Sequence, residues 1–419
     1  MRKLVKHISI LLSVVFLSAC SFMPRLAIVK REDVIEKPAE EVLTPTVTLD
    51  AEETPQIEMA EPEVIDEGDV PVMAYVQEVP VEMETRFHYE LLSDIQKYAY
   101  GELYNACREY QDTIIFNKKI MPEDVQIAIR AILRDYPEFE WIESTSIYYT
   151  NDGAATSVNV THDDDIYQRM DDINAVANDI IAGMPRTSEY DEYKYIYDYI
   201  IRTTDYDTNN EADNQHISSV LLEHKSVCAG YAKTFHYLAH KAGLYSTYVV
   251  GTITRDGKTE DHAWNLIKIG DTYCWVDVTW GDPVFDGGEE NVTNYNYFCI
   301  PDDLLIKEHE LSHFLLDDKV YIRYPSCYSW DYEYYVRNNL FFDYYDSASF
   351  KQYLKEQMNL GETIIEVQFS DTKYLDEAIY DLITTRGIDD VVAVSNKKFK
   401  TYRYIKNDNL AILYLELYP

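Results

Sequence analysis

Basic residues are scarce in this 419-residue chain: 37 Lys and Arg stand against 74 Asp and Glu, a formal net charge of −37. A nucleic-acid binder needs a basic surplus to displace phosphate counterions, so that class is excluded. Six cysteines are too few for a disulfide-built scaffold, and none is spaced C-x-x-C as a zinc ribbon requires. Fourteen Gly and 14 Pro exclude a collagen-like repeat. Past the N-terminus no run is long and apolar enough to span a bilayer. Apolar side chains are plentiful instead, at 46%, with 38 Tyr among them. That composition can bury cores, which excludes wholesale disorder, and the length predicts two or three domains.

The first 20 residues have the pattern of an export signal. Arg2, Lys3 and Lys6 precede an apolar run from Ile8 to Leu17 that is too short to cross a membrane as a helix. Leu17-Ser18-Ala19-Cys20 resembles the lipobox of bacterial lipoproteins, in which the cysteine is lipidated. This implies a protein held at the cell membrane, on its extracytoplasmic face, through lipid on Cys20. Several acyl chains hold a membrane stably where one does so only marginally. Residues 21–85 then read as an acidic tether. Pro38, Pro45, Pro55, Pro62, Pro71 and Pro80 recur along it, and Lys37 is the only base between Glu32 and Thr85. Like-charge repulsion and proline stiffness predict an extended, disordered segment.

Residues 86–188 read as a mainly helical region. Apolar spacing predicts a helix from Tyr89 to Tyr110, one opening at Pro122, one from Asp163 to Ala182 and a further one from Tyr190 to Thr203. Strands are predicted at Thr145 to Thr150 and Ser157 to Thr161, around Asn151-Asp152-Gly153. Residues 319–419 read as a C-terminal α+β module. Its helices fall at Ser347 to Gln357 and Asp371 to Thr385. Its strands fall at Thr363 to Phe369, Val391 to Val394, Thr401 to Ile405 and Leu410 to Leu417.

The chemistry lies between, in residues 189–318. Ala229, Ala232, Phe235, Ala239 and Ala242 share a helical face, which puts Cys228 at a helix N-terminus. The partial positive charge there favours a thiolate. Downstream, the runs Asp261 to Ile269 and Thr272 to Trp280 flank Gly270-Asp271, a two-residue hairpin loop. That loop pairs Ile269 with Thr272, which sets Trp264 opposite Asp277 and His262 opposite Thr279. Asp277 thereby becomes the diagonal neighbour of His262, within reach of a carboxylate–imidazole contact. Nucleophile, base and orienting carboxylate are the parts of acyl transfer through a thioester. The Cys228 N–H is a natural oxyanion donor. Gln215 and His216 lie upstream without an assigned role.

Three blocks in order, Val227-Cys228-Ala229-Gly230-Tyr231, Asp261-His262-Ala263-Trp264-Asn265 and Asp277-Val278-Thr279-Trp280, resemble the transglutaminase-like superfamily. The resemblance covers about Tyr190 to His313. It implies an α+β protein with a papain-like core, in which Cys228, His262 and Asp277 are nucleophile, base and orienting group and no cofactor is needed. The substrate would be a peptide or protein amide, attacked for hydrolysis or transamidation. A non-catalytic binding or scaffold protein retaining the fold is the alternative. A separate pattern competes: His309-Glu310-Leu311-Ser312-His313 matches H-E-x-x-H, which on a helix holds zinc, with Glu333 as a conceivable third ligand. The helix available to it is short, and a surface or structural role is the main expectation. No residue pattern fixes the oligomeric state.

Overall fold

The computed structural model describes the strands Arg25–Val29 and Met59–Ala60, and residues 85–142, 144–150, 152–162, 164–207, 214–255, 257–282, 293–397 and 399–418. The export signal, Cys20 and most of the acidic segment lie outside the described residues. Within that segment, β1 (Arg25–Val29) and β2 (Met59–Ala60) nevertheless join a sheet.

The first body is a mixed layer. The helix expected from Tyr89 to Tyr110 is two, α1 (Phe87–Glu90) and α2 (Asp94–Arg108). Ser93 divides them by forming a capping box with Gln96, whose Oε1 accepts from the Ser93 N–H at 3.0 Å. A strand that the sequence did not announce follows, β3 (Thr113–Ile120). Then come α3 (Pro122–Asp135), β4 (Ser144–Tyr149), β5 (Ala155–Thr161) and α4 (Ile166–Ala182). β4 is paired antiparallel with β5 and parallel with both β1 and β2, while β3 lies on the other side of β5.

The second body carries the predicted chemistry. α5 (Glu189–Thr203), α6 (Ile217–Leu221) and α7 (Cys228–Lys241) precede an antiparallel sheet. Its strands are β6 (Ser246–Arg255), β7 (Lys258–Ile269), β8 (Thr272–Val276), β9 (Phe298–Ile300) and β10 (His309–Leu311), in the order β9-β8-β7-β6-β10. A short helix, α8 (Asp302–Leu305), lies between the last two. α7 is fixed on β7 by a hydrogen bond from Asn265 Nδ2 to the Ala232 carbonyl (2.9 Å) and by packing of Ala232 with Ala263 and Tyr248. On its other side, the Phe235 ring of α7 stacks on Tyr193 of α5, whose hydroxyl donates to the Lys268 carbonyl at 3.0 Å.

The C-terminal body runs α9 (Tyr334–Arg337), β11 (Phe341–Phe342), α10 (Ser347–Leu360), β12 (Ile364–Phe369), α11 (Thr372–Ile379), α12 (Gly387–Val394), β13 (Thr401–Asn407) and β14 (Ile412–Tyr418). Its sheet is ordered β11-β12-β14-β13. The strand expected at Val391 to Val394 is instead the last turn of α12. Asp389 and Asp390 complement the start of that helix, and Val391 is buried with Phe350 and Leu354. The whole is an α+β fold. Among the described residues no helix is long and apolar enough to cross a membrane.

Candidate active site

The hairpin between β7 and β8 has the register read from the sequence. Thr272 faces Ile269, and pairing continues to Val276 opposite Asn265. Gly270 takes φ +57, the left-handed conformation that the tight turn demands. β8 then ends one residue before Asp277. Thr279 is therefore not paired opposite His262, as the extended hairpin predicted, but begins a 3₁₀ turn, Thr279–Gly281. Asp277 itself causes the departure, because its Oδ1 accepts the Trp280 N–H at 3.1 Å and bends the chain back.

The predicted carboxylate–imidazole contact is present: His262 Nε2 lies 2.7 Å from Asp277 Oδ2. Both side chains are buried. Burial pushes the Asp277 carboxyl up, but the His262 imidazole and hydrogen bonds from His262 and His309 outweigh it. The group is held well below the usual carboxylate range. An ionised carboxylate only accepts, so each imidazole nitrogen on it carries a proton. His262 thus presents Nε2–H to Asp277, and its lone pair is on Nδ1.

Cys228 is the first residue of α7, as expected. The N-cap, Val227, gives no side-chain hydrogen bond, so no side chain of that residue occupies the first-turn N–H groups. Cys228 lies one helical turn before Ala232, and His262 directly precedes Ala263. Those two alanines are in contact. Cys228 is buried. The remaining described cysteines, Cys107, Cys274, Cys299 and Cys327, are free and buried.

The H-E-x-x-H reading is corrected by the fold. His309–Leu311 is a strand paired with β6, not a helix. Four residues of extended chain separate His309 from His313 by roughly 13 Å, too far to share one ion. His313 Nδ1 lies 3.3 Å from the Ile322 carbonyl, and Glu333 instead caps α9 by accepting the Val336 N–H at 2.9 Å. His309 goes elsewhere: its Nε2 lies 3.0 Å from the same Asp277 Oδ2 that His262 uses. Donor atoms of His262, Asp277 and His309 fall within 4.8 Å of one another, a spacing a divalent ion could use. Two N–H groups converging on one carboxylate oxygen account for that geometry without an ion. Sequence reasoning missed this use of His309, since only strand pairing brings it to Asp277.

Behind the Cys228 helix start, the buried Glu140 carboxylate accepts the Ile217 and Ser218 N–H groups, capping α6. Lys233 Nζ donates to the Gln215 carbonyl at 3.0 Å, which fixes the stretch that precedes Cys228. A cavity of about 400 Å³, with Arg86, Arg108, Tyr136 and Lys241 in its wall, opens at the other end of α7. Thirteen residues of helix put it roughly 20 Å from Cys228. It therefore takes no part in the Cys–His–Asp arrangement.

Residues 174–279 match the family model of the transglutaminase-like superfamily. The chain carries a transglutaminase-like superfamily domain. The matched stretch contains Cys228, His262 and Asp277. Kyphoscoliosis peptidase of Mus musculus is 26% identical over 152 residues, which is 33% of this chain and 23% of that protein. The chain thus spans about a quarter of the length of that curated relative. A crystal structure of a TGase is similar at 18% identity and a TM-score of 0.24, covering 42% of this chain and 53% of that one.

Proposed function

We propose that the transglutaminase-like domain is a thiol acyl-transfer enzyme acting on peptide or protein amides. Cys228 is the nucleophile, His262 the base and Asp277 the group that orients the base. The observation that carries the proposal is the buried His262–Asp277 hydrogen bond, in a chain whose Cys228 opens a helix. The reduced thiol gives its proton to His262 Nδ1, and the helix N-terminus and Asp277 stabilise the resulting ion pair. The thiolate attacks the amide carbonyl, forming a C–S bond and an oxyanion that faces the Cys228 N–H. The C–N bond breaks as the imidazolium protonates the departing amine, leaving a thioester. Water then loses a proton to His262 and attacks. The C–S bond breaks, releasing the acid and restoring the thiolate. We take water as the acceptor because the curated relative is named a peptidase. An amine acceptor would make the same machinery a cross-linker.

The proposal extends to location. A lipid on Cys20 would hold the enzyme on the extracytoplasmic face of the membrane, within reach of peptide or cell-envelope amides. The Leu17-Ser18-Ala19-Cys20 sequence after a short apolar run supports this.

The test is alkylation. The reduced full chain is treated with iodoacetamide across pH and read by mass spectrometry. Cys228 is expected to label fast below about pH 7, and His262→Ala to slow it. Labelling at the rate of an ordinary thiol, or indifference to His262→Ala, would refute the nucleophile–base assignment.

A further inference from the structure

We infer that His309 is a positioning residue of this site, a second imidazole that fixes Asp277 so that Asp277 can fix His262. The inference rests on the proposed Cys228–His262–Asp277 chemistry and adds a residue to it.

Asp277 is held from three directions. The Trp280 N–H occupies Oδ1 at 3.1 Å, while His262 and His309 share Oδ2 at 2.7 and 3.0 Å. A carboxylate held by one donor at each oxygen can still rock about its Cβ–Cγ bond. A second donor on Oδ2 removes that freedom and fixes the lone pair that sets the His262 ring. His309 is suited to the task by being neutral. Burial lowers its pKa, so it donates one N–H without bringing a competing charge to Asp277. An arginine or lysine there would claim the charge that His262 needs once it is protonated.

The surroundings exclude a simpler role for the ring nitrogen. His309 Nδ1 is buried and has no hydrogen-bond partner. Among the described residues, the polar bond of the imidazole is therefore the one to Asp277. Its ring packs against Trp280, Trp264 and Tyr297, with centroids 4.5, 5.0 and 5.5 Å away. An apolar side chain would fill that space without leaving Nδ1 buried and unpaired, so packing alone does not call for histidine. The other titratable groups acting on this pair are Glu308, which accepts from the Tyr297 hydroxyl, and the phenols of Tyr197 and Tyr206 near Asp277. None donates to Asp277 Oδ2 in place of His309.

The test compares His309→Gln with His309→Met in the reduced full chain. The two side chains are nearly equal in size, and only Gln has an N–H that can reach Asp277. Alkylation of Cys228 is followed against pH, with thermal unfolding as the check on folding. In His309→Met the labelling profile should move up by about one pH unit, a roughly tenfold slower rate at pH 6. In His309→Gln it should stay near that of the wild type. A folded His309→Met protein with the wild-type profile overturns the inference. If His309→Met does not fold, His309→Phe, which keeps an aromatic ring in place, is read by the same two outcomes. A wild-type Cys228 that labels as an ordinary thiol overturns the enzyme proposal itself. The two failures are therefore distinguishable.

Discussion

Asp277 must accept, never donate, because three N–H groups point at its two oxygens. Asp277→Asn keeps the shape but replaces one acceptor with a donor. Either His262 or Trp280 then faces an N–H, and His262 is driven toward the wrong tautomer. By analogy with triads in which this exchange was the only change, the expected loss of turnover is roughly 10⁴-fold. Before a substrate is known, the same loss is read as Cys228 alkylation at pH 6 falling at least tenfold while the folded fraction holds. Unchanged alkylation would show that the carboxylate does not act through His262. At this scale the sequence was informative in one place and misleading in another. A two-residue turn and strand alternation were enough to place Asp277 beside His262, because both are local rules. The same rules overran at Thr279, where the Asp277 side chain turns the backbone. His309 was invisible as a partner of Asp277, since its approach depends on a strand pairing more than 50 residues from its partner strand's own start.

β10 is three residues long, and its hold on the sheet depends on a single small residue opposite. Gly251 pairs with Leu311, and a Cβ there would stand 2.1 Å from the Glu310 carbonyl oxygen and 2.6 Å from Trp264 Cη2. One obstacle is backbone and the other a buried indole, so neither yields cheaply. Gly251→Ala should destabilise the protein by about 1–3 kcal/mol. It should also push β10 outward, carrying His309 off Asp277. A lower unfolding temperature together with an upward shift of the Cys228 alkylation profile is the expected result. A shift in stability alone would mean that His309 keeps its place when β10 moves. Elements were otherwise legible wherever caps and periodicity agreed, as at Pro122 and Cys228. They were not where a pattern broke. β3 has a register irregularity between Ile115 and Ile120, and its exposed Lys118 and Lys119 interrupt the alternation. The short apolar run Val391 to Val394 fits a strand or a buried helix equally, and only packing against α10 decides.

The whole molecule is joined at α9, between the five-stranded sheet of the second body and the C-terminal body. The Tyr335 hydroxyl meets Glu366 Oε1 of β12 at 2.7 Å and also contacts Asn296, two residues before β9. Glu333 caps α9 from a fully buried position, with Oε1 lacking a partner. Burial pushes its carboxyl up to about 7, against the pull of the Val336, Tyr335 and Tyr334 N–H groups. The unfolded chain restores an ordinary value of about 4.5. A folded value above the unfolded one means that the folded state binds the proton more tightly. Its contribution is complete below about pH 4.5 and is lost as pH rises toward 7. Ionising Glu333 should therefore loosen the joint by on the order of 3 kcal/mol at pH 8. Glu333→Gln keeps an oxygen for the Val336 N–H and cannot ionise. Its unfolding temperature should match the wild type near pH 4.5 and exceed it by a few degrees at pH 8. Comparing the two proteins at each pH removes the background titration of the chain's many other carboxylates. A gap of constant size across that range would show that Glu333 stays ionised in the folded protein and that α9 holds a buried charge.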